Sequence, residues 1–201
     1  MPISNGRLTW VVAEADVLRA LRQFNVHWES GTVSPLILRN PHRRRSFHHL
    51  KERISNLPFE LVVGPRQVGK TTLMGHLMAA LIEDGVPPER ILYVPADYPA
   101  LELEATGSLA PVLAVYERFV LNEELARAKS KVYFFLDEVQ SVPDWGRQIK
   151  GLYDLYHPQL RLLGTGSSSA ALLNPANADF PGRVDRSHIH PLKFGEVVHN
   201  A

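Results

Sequence analysis

Apolar residues recur at helical spacing in two places before residue 58. In AEADVLRALRQF (13–24), Val17, Leu18, Leu21 and Phe24 fall on one stripe, which predicts a short amphipathic helix. In SFHHLKERI (46–54), Phe47, Leu50 and Ile54 do the same, with Ser46 placed to act as N-cap. From residue 59 the pattern changes. Short apolar runs, FELVV (59–63), RILYVP (90–95), KVYFFL (131–136), QLRLLG (159–164) and SHIHPL (187–192), read as strands. Between them, residues 70–84, 108–128 and 144–156 carry helical patterns. Pro111 suits a first helical turn and Gly85 the position just past a helix end. Strand then helix, repeated, predicts an α/β fold: a three-layer α/β/α sandwich around a mainly parallel five-stranded sheet. In such a fold ligands bind at the carboxyl ends of the strands.

Composition narrows the picture. The chain has 201 residues, 22 Lys+Arg against 21 Asp+Glu, and 45% hydrophobic residues, enough for one globular core. With no cysteine there is no disulfide framework, thiolate metal site or thiol nucleophile, and a cytoplasmic address is the expectation. No apolar run approaches the roughly 18 residues of a membrane helix, and the first residues lack the pattern of a signal peptide. Charge is uneven. Residues 1–58 hold nine basic side chains against four acidic ones. The block Arg43-Arg44-Arg45, with His42, His48 and His49 nearby, reads either as a solvated helix surface or as a phosphate- or nucleic-acid-binding patch. Only Phe47 supplies aromatic interleaving there, and the histidines lack the spacing of a metal site with carboxylate partners.

The strongest motif is Gly64-Pro65-Arg66-Gln67-Val68-Gly69-Lys70-Thr71, a complete G-x-x-x-x-G-K-[ST] placed after a strand and opening a helix. Its chemistry explains its residue types. Gly64 and Gly69 let the backbone bend so that successive N–H groups face the phosphates of a nucleotide, and the helix starting near Lys70 adds positive partial charge. Lys70 places a point charge on the β/γ-phosphate oxygens, and the Thr71 hydroxyl is a ligand for Mg²⁺. Thr72 reads as a helix-start residue beside the nucleotide, and Arg66 and Gln67 as loop-tip side chains. Further on, KVYFFLDEVQ (131–140) is an apolar strand ending in two carboxylates. Asp137 is the candidate Mg²⁺ carboxylate and Glu138 the candidate base that polarises an attacking water. A second strand and a long helix separate this pair from the loop. That order resembles the additional-strand, catalytic-glutamate class of P-loop ATPases and favours ATP hydrolysis over phosphoryl transfer to a metabolite.

Five ordered segments, GPRQVGKTTL (64–73), YFFLDEVQSVPDW (133–145), LLGTGSSSAALL (162–173), GRVDR (182–186) and HPLKFGEV (190–197), resemble the bacterial and archaeal AAA-type ATPases whose P-loop domain is normally followed by a C-terminal domain of unknown function. The resemblance covers about residues 40–198. It implies a P-loop NTPase domain over 41–201 that lacks the usual C-terminal part, preceded by an N-terminal helical extension over 1–40. Because this sequence departs from the family pattern by showing no lid helices after the fifth strand, the expectation is that ATP binding is better supported than efficient turnover. Adenine specificity is likewise implied only by the resemblance. Ser167, or failing that Thr165, is similar to the polar sensor between the Asp-Glu pair and the γ-phosphate; the other reading is a Ser/Gly-rich turn capping the next helix. Arg183 is similar to a phosphate-sensing or finger arginine, with Arg186 as second choice and a surface ion pair as the other reading. Trp145 is expected to anchor its helix against the sheet, and Asp97, at the end of the second strand, reads either as facing the nucleotide cleft or as part of an ordinary Asp-Tyr-Pro turn and is left out of the site.

The leading expectation is therefore an ATP-binding, Mg²⁺-dependent ATPase. Two alternatives stand beside it: a nucleotide-gated module that binds a protein partner or a second copy of itself with little turnover, and a nucleic-acid-associated ATPase acting through the basic segment.

Overall fold

The computed structural model describes residues 14–38, 42–57, 59–101, 103, 107–167 and 185–191. Five strands, β1 (Phe59–Gly64), β2 (Ile91–Pro95), β3 (Val132–Asp137), β4 (Leu160–Ser167) and β5 (Asp185–His188), form one sheet in the order β2-β3-β4-β1-β5. Every pairing in it is parallel. The α-helices whose bounds fall within the described residues are α1 (Glu14–Phe24), α2 (His27–Ser30), α3 (Ser46–Asn56), α4 (Lys70–Glu83), α5 (Ala110–Tyr116) and α6 (Trp145–Tyr156).

Strand alternation sorts the sheet's side chains into two cores. Leu61, Val63, Leu92, Val94, Phe134 and Leu136 pack with α1, α5 and α6 on one face. Val62, Tyr93, Tyr133, Phe135 and Leu163 pack with α3 and α4 on the other. The three layers expected from the sequence are thus present. Helix α1 delivers Val17, Ala20 and Leu21 into the same core as the central strands, each large side chain contributing about 1.5–3 kcal/mol of burial. Residues before and after position 40 therefore share one hydrophobic interior.

Four local expectations are corrected. The pattern over 108–128 is not one helix: α5 stops at Tyr116, a wider turn runs Glu117–Leu121, and Asn122 ends it at φ 54°. Asparagine tolerates that left-handed conformation better than its neighbours would, so the chain turns there. Ser46 is the first residue of α3 rather than its cap; Arg45 holds the capping position with no side-chain bond. Strand β5 begins two residues earlier than the apolar pattern suggested, at Asp185. Among the described residues its pairing continues to Ile189, whose N–H donates to Val63 O at 2.8 Å, shortly before Pro191, which has no N–H to offer. Gly64 is not a bend. It lies in β1, and a Cβ there would strike the carbonyl of Ile189, so the glycine makes room for the segment leaving β5.

Candidate functional site

The phosphate loop joins β1 to α4 at the carboxyl end of the sheet. Gln67 (φ 62°) and Gly69 (φ 88°) are both left-handed, with Val68 between them. Such alternation turns successive N–H groups toward one side and forms an anion-binding concavity at a helix N-terminus. Lys70 curls back beneath the loop, donating to Gly64 O at 3.0 Å and Pro65 O at 2.9 Å. It is only 5% exposed, and the partners its ammonium meets here are backbone carbonyls. A buried ammonium held by neutral carbonyls favours an anion in the loop.

Because β4 lies between β1 and β3, Asp137 reaches the loop across an intervening strand. Alternation places Tyr93, Asp137 and Thr165 on the face beneath α4, where their polar groups converge. Asp137 Oδ2 accepts from Thr71 Oγ1 at 2.6 Å and from the Tyr93 hydroxyl at 2.9 Å, while Oδ1 accepts from Thr165 Oγ1. Three hydroxyl donors from three elements fix one carboxylate. Thr71 and Asp137 offer only oxygen donors, a set that suits Mg²⁺, which takes one or two protein oxygens and completes its octahedron with water and phosphate.

Glu138 follows with φ 53° and ψ 54°, which turns it away from the strand alternation. Its N–H donates to Thr165 Oγ1 at 3.2 Å, and its Oε2 accepts from Gln140 Nε2. Thr165, fully buried, is therefore the polar residue that touches both acidic positions. Ser167 lies two residues farther along β4, opposite Gly64 in register. Arg183 is outside the described residues. Arg186 sits in edge strand β5 opposite Leu61, three positions before the strand register reaches Gly64, and is not brought to the loop.

Beside the loop a cavity of about 380 Å³ is lined by Arg66, Gln67, Val68, Gly69 and Thr72 from the motif, and by His42, Arg44, Leu73, His76 and Pro191. Thr72 thus faces space next to the phosphate loop from the first turn of α4. Two residues of the basic block have partners within the protein: Arg43, at the surface, pairs with Glu83 at 3.1 Å and covers the Phe47 ring, and half-buried Arg44 donates to Val68 O and His190 O. Tyr93 and Gln140 carry no motif that would single them out in the sequence, and Arg44 is marked there only as one of three arginines in the basic block, with nothing to say which groups it meets. Each is distant in sequence from its partner or follows no spacing rule, and only Gln140, two residues after Glu138, lies close enough to be suspected.

The sequence model of a family described as an AAA domain matches residues 58–198. The chain belongs to this AAA domain family. An uncharacterized protein of Haemophilus influenzae is 24% identical over 140 residues, which is 70% of this chain and 33% of that protein. The chain thus spans about a third of the length of the curated relative it matches. Among solved structures, the Walker-type ATPase of Pyrococcus abyssi aligns with TM-score 0.48 and 19% identity, covering 80% of this chain and 59% of that one. C. elegans PCH-2 aligns with TM-score 0.42 and 18% identity, covering 89% and 43%. Among the described residues of this AAA domain, no helix is long and apolar enough to cross a membrane.

Proposed function

We propose that this AAA domain binds ATP with Mg²⁺ and hydrolyses it. The observation that carries the reading is the bond between Thr71, at the start of α4, and Asp137, at the end of β3, with Glu138 as the next residue. Thr71 and Asp137 would hold Mg²⁺, which neutralises charge on the β- and γ-phosphate oxygens. The N–H groups of 65–71 cradle the phosphates, and Lys70 leaves its carbonyl partners for the β/γ-oxygens. The cavity beside Thr72 takes the nucleoside. Glu138 accepts a proton from a water that attacks the γ-phosphorus in line; the new oxygen–phosphorus bond forms as the bond to the β-phosphate oxygen breaks, leaving ADP and inorganic phosphate. Thr165 serves as the polar contact between the two carboxylates and the reacting phosphate, in the role first expected of Ser167. Arg183 remains the candidate phosphate-sensing arginine.

The engagement of Arg44 by two backbone carbonyls within the protein favours this reading over nucleic-acid binding through the basic segment. The test measures equilibrium binding of a fluorescent ATP analogue with Mg²⁺, then phosphate release. Wild type is expected to bind and release phosphate, and Lys70→Ala to lose binding. Glu138→Gln should keep binding and slow release by about 100-fold or more, the usual contribution of a general base. Turnover that survives in Glu138→Gln removes Glu138 from the role of base; wild-type protein that binds nothing overturns the reading.

A further inference from the structure

We propose that Arg44, which lies outside the phosphate-loop motif, is the positioning residue that holds the loop in its anion-binding shape and couples it to the segment leaving β5. The inference rests on the nucleotide-binding reading above. Arg44 Nη1 donates to Val68 O at 2.5 Å, and Nη2 donates to His190 O. The peptide between Val68 and Gly69 is trans, so its carbonyl and N–H point in opposite directions. Holding the Val68 carbonyl on the guanidinium therefore fixes the Gly69 N–H toward the opposite side, the interior of the loop. Gly69, at φ 88°, has no Cβ to resist rotation of that peptide, and a flipped peptide would present a carbonyl to the incoming phosphate. A cation bonded to the carbonyl opposes the flip and polarises the peptide, strengthening its N–H as a donor.

The second contact gives the clamp its reach. His190 follows Ile189, whose N–H pairs with Val63 and whose carbonyl packs on Gly64. Arg44 therefore ties three pieces of chain together: its own segment before α3, the tip of the phosphate loop, and the strap that leaves β5. The planar fork of arginine can serve two carbonyls at once, whereas the single ammonium of lysine serves them in one compact point. Arg44 and Pro191 line both the cavity beside the loop and a smaller one of about 230 Å³ whose lining includes Ser46, His188 and Ile189.

The experiment compares wild type with Arg44→Met, Arg44→Lys and, as control, Arg43→Met, whose surface pair with Glu83 touches neither carbonyl. Calorimetry measures binding of Mg-ADP and of AMP, which lacks the β-phosphate that the loop surrounds, and hydrogen exchange without nucleotide follows residues 64–72 and 185–191. Arg44→Met is expected to weaken ADP binding about tenfold, the size of one charge-assisted hydrogen bond, and AMP binding by less than about twofold. Exchange should rise in both segments. Arg44→Lys should recover part of the ADP affinity, and Arg43→Met should match wild type. Equal weakening of ADP and AMP would make Arg44 a direct contact to the nucleoside and overturn the proposal. So would unchanged ADP affinity in a wild-type background that binds. Wild-type protein that binds neither nucleotide brings down the reading above and this one with it. If Arg44→Met fails to fold, the Arg44→Lys comparison carries the same test.

Discussion

The two edges of the sheet are finished by different means. At the β2 edge the outer backbone groups are closed by side chains of the segment around α2. Asn25 Nδ2 donates to Tyr93 O at 2.8 Å, and Tyr93 N–H donates back to Asn25 Oδ1 at 2.7 Å, so one amide imitates a neighbouring strand. Ile91 O accepts from Trp28 Nε1 at 2.8 Å and lies 2.9 Å from His27 Nε2. Asn25 and His27 are completely buried or nearly so. The β5 edge is short, and Asp185, Arg186 and His188 are exposed. It is tied down by charged side chains, Arg53 to Asp185 and Arg44 to the carbonyl of His190. Both devices discourage pairing with another sheet, one by covering the edge and the other by brevity and charge. They differ in what they transmit. The β2 edge sets Tyr93, whose hydroxyl steadies Asp137, inside a closed network, while the β5 edge joins the phosphate loop through one arginine.

The largest effect is expected where the exposed edge depends on a buried charge. Glu60 of β1 is fully buried and accepts from Arg53 Nε at 2.7 Å. Arg53→Met leaves that carboxylate unpaired and releases Asp185, and should lower stability by about 3–5 kcal/mol in urea denaturation. A loss below about 1 kcal/mol would mean that the β5 edge does not lean on this pair. Next comes the closed edge. Asn25→Leu removes the partner of the Tyr93 N–H and carbonyl, at about 1–3 kcal/mol, and should raise hydrogen exchange of β2 while leaving that of β5 unchanged. If exchange rises equally at both edges, the two are one cooperative unit and the contrast between them fails.

The smallest effect is in pH dependence. Burial lowers the pKa of His27 from its ordinary 6.5, and the bond toward Ile91 O only partly offsets this. The folded chain thus resists a proton that the unfolded chain accepts, so the stability is complete above pH 6.5 and declines as pH falls below it. His27→Gln should flatten the fall in melting temperature between neutral and mildly acidic pH, and a slope identical to wild type would place the titrating group elsewhere.

Much of the fold is legible in the amino-acid pattern. Leu61, Val63, Phe134 and Leu136 lie in continuous apolar runs because a parallel strand is buried on both faces, and the loop motif declares its own strand and helix. The departures have local causes: Asn122 breaks a helical pattern that hydrophobic spacing alone would continue, and polar Asp185 opens a strand that such spacing starts later. In the site, Lys70, Thr71, Asp137 and Glu138 are readable because their chemistry demands fixed spacing or a fixed place at a strand end. Thr165 cannot be ranked above Ser167 from sequence, because both lie on the same side of β4 and only packing depth separates their contacts.

By itself the sequence determined the order of strands and helices, the phosphate loop and the acidic pair, since these depend on periodicity and on short-range residue spacing. Tertiary structure alone decided the rest. It set β4 between β1 and β3, brought Tyr93 and Thr165 onto Asp137 and carried Arg44 to Val68 and His190. It also made Gly64 a point of close approach instead of a bend. Each of these depends on which strands neighbour one another and how closely they pack, and a one-dimensional pattern carries no distance between residues far apart in the chain.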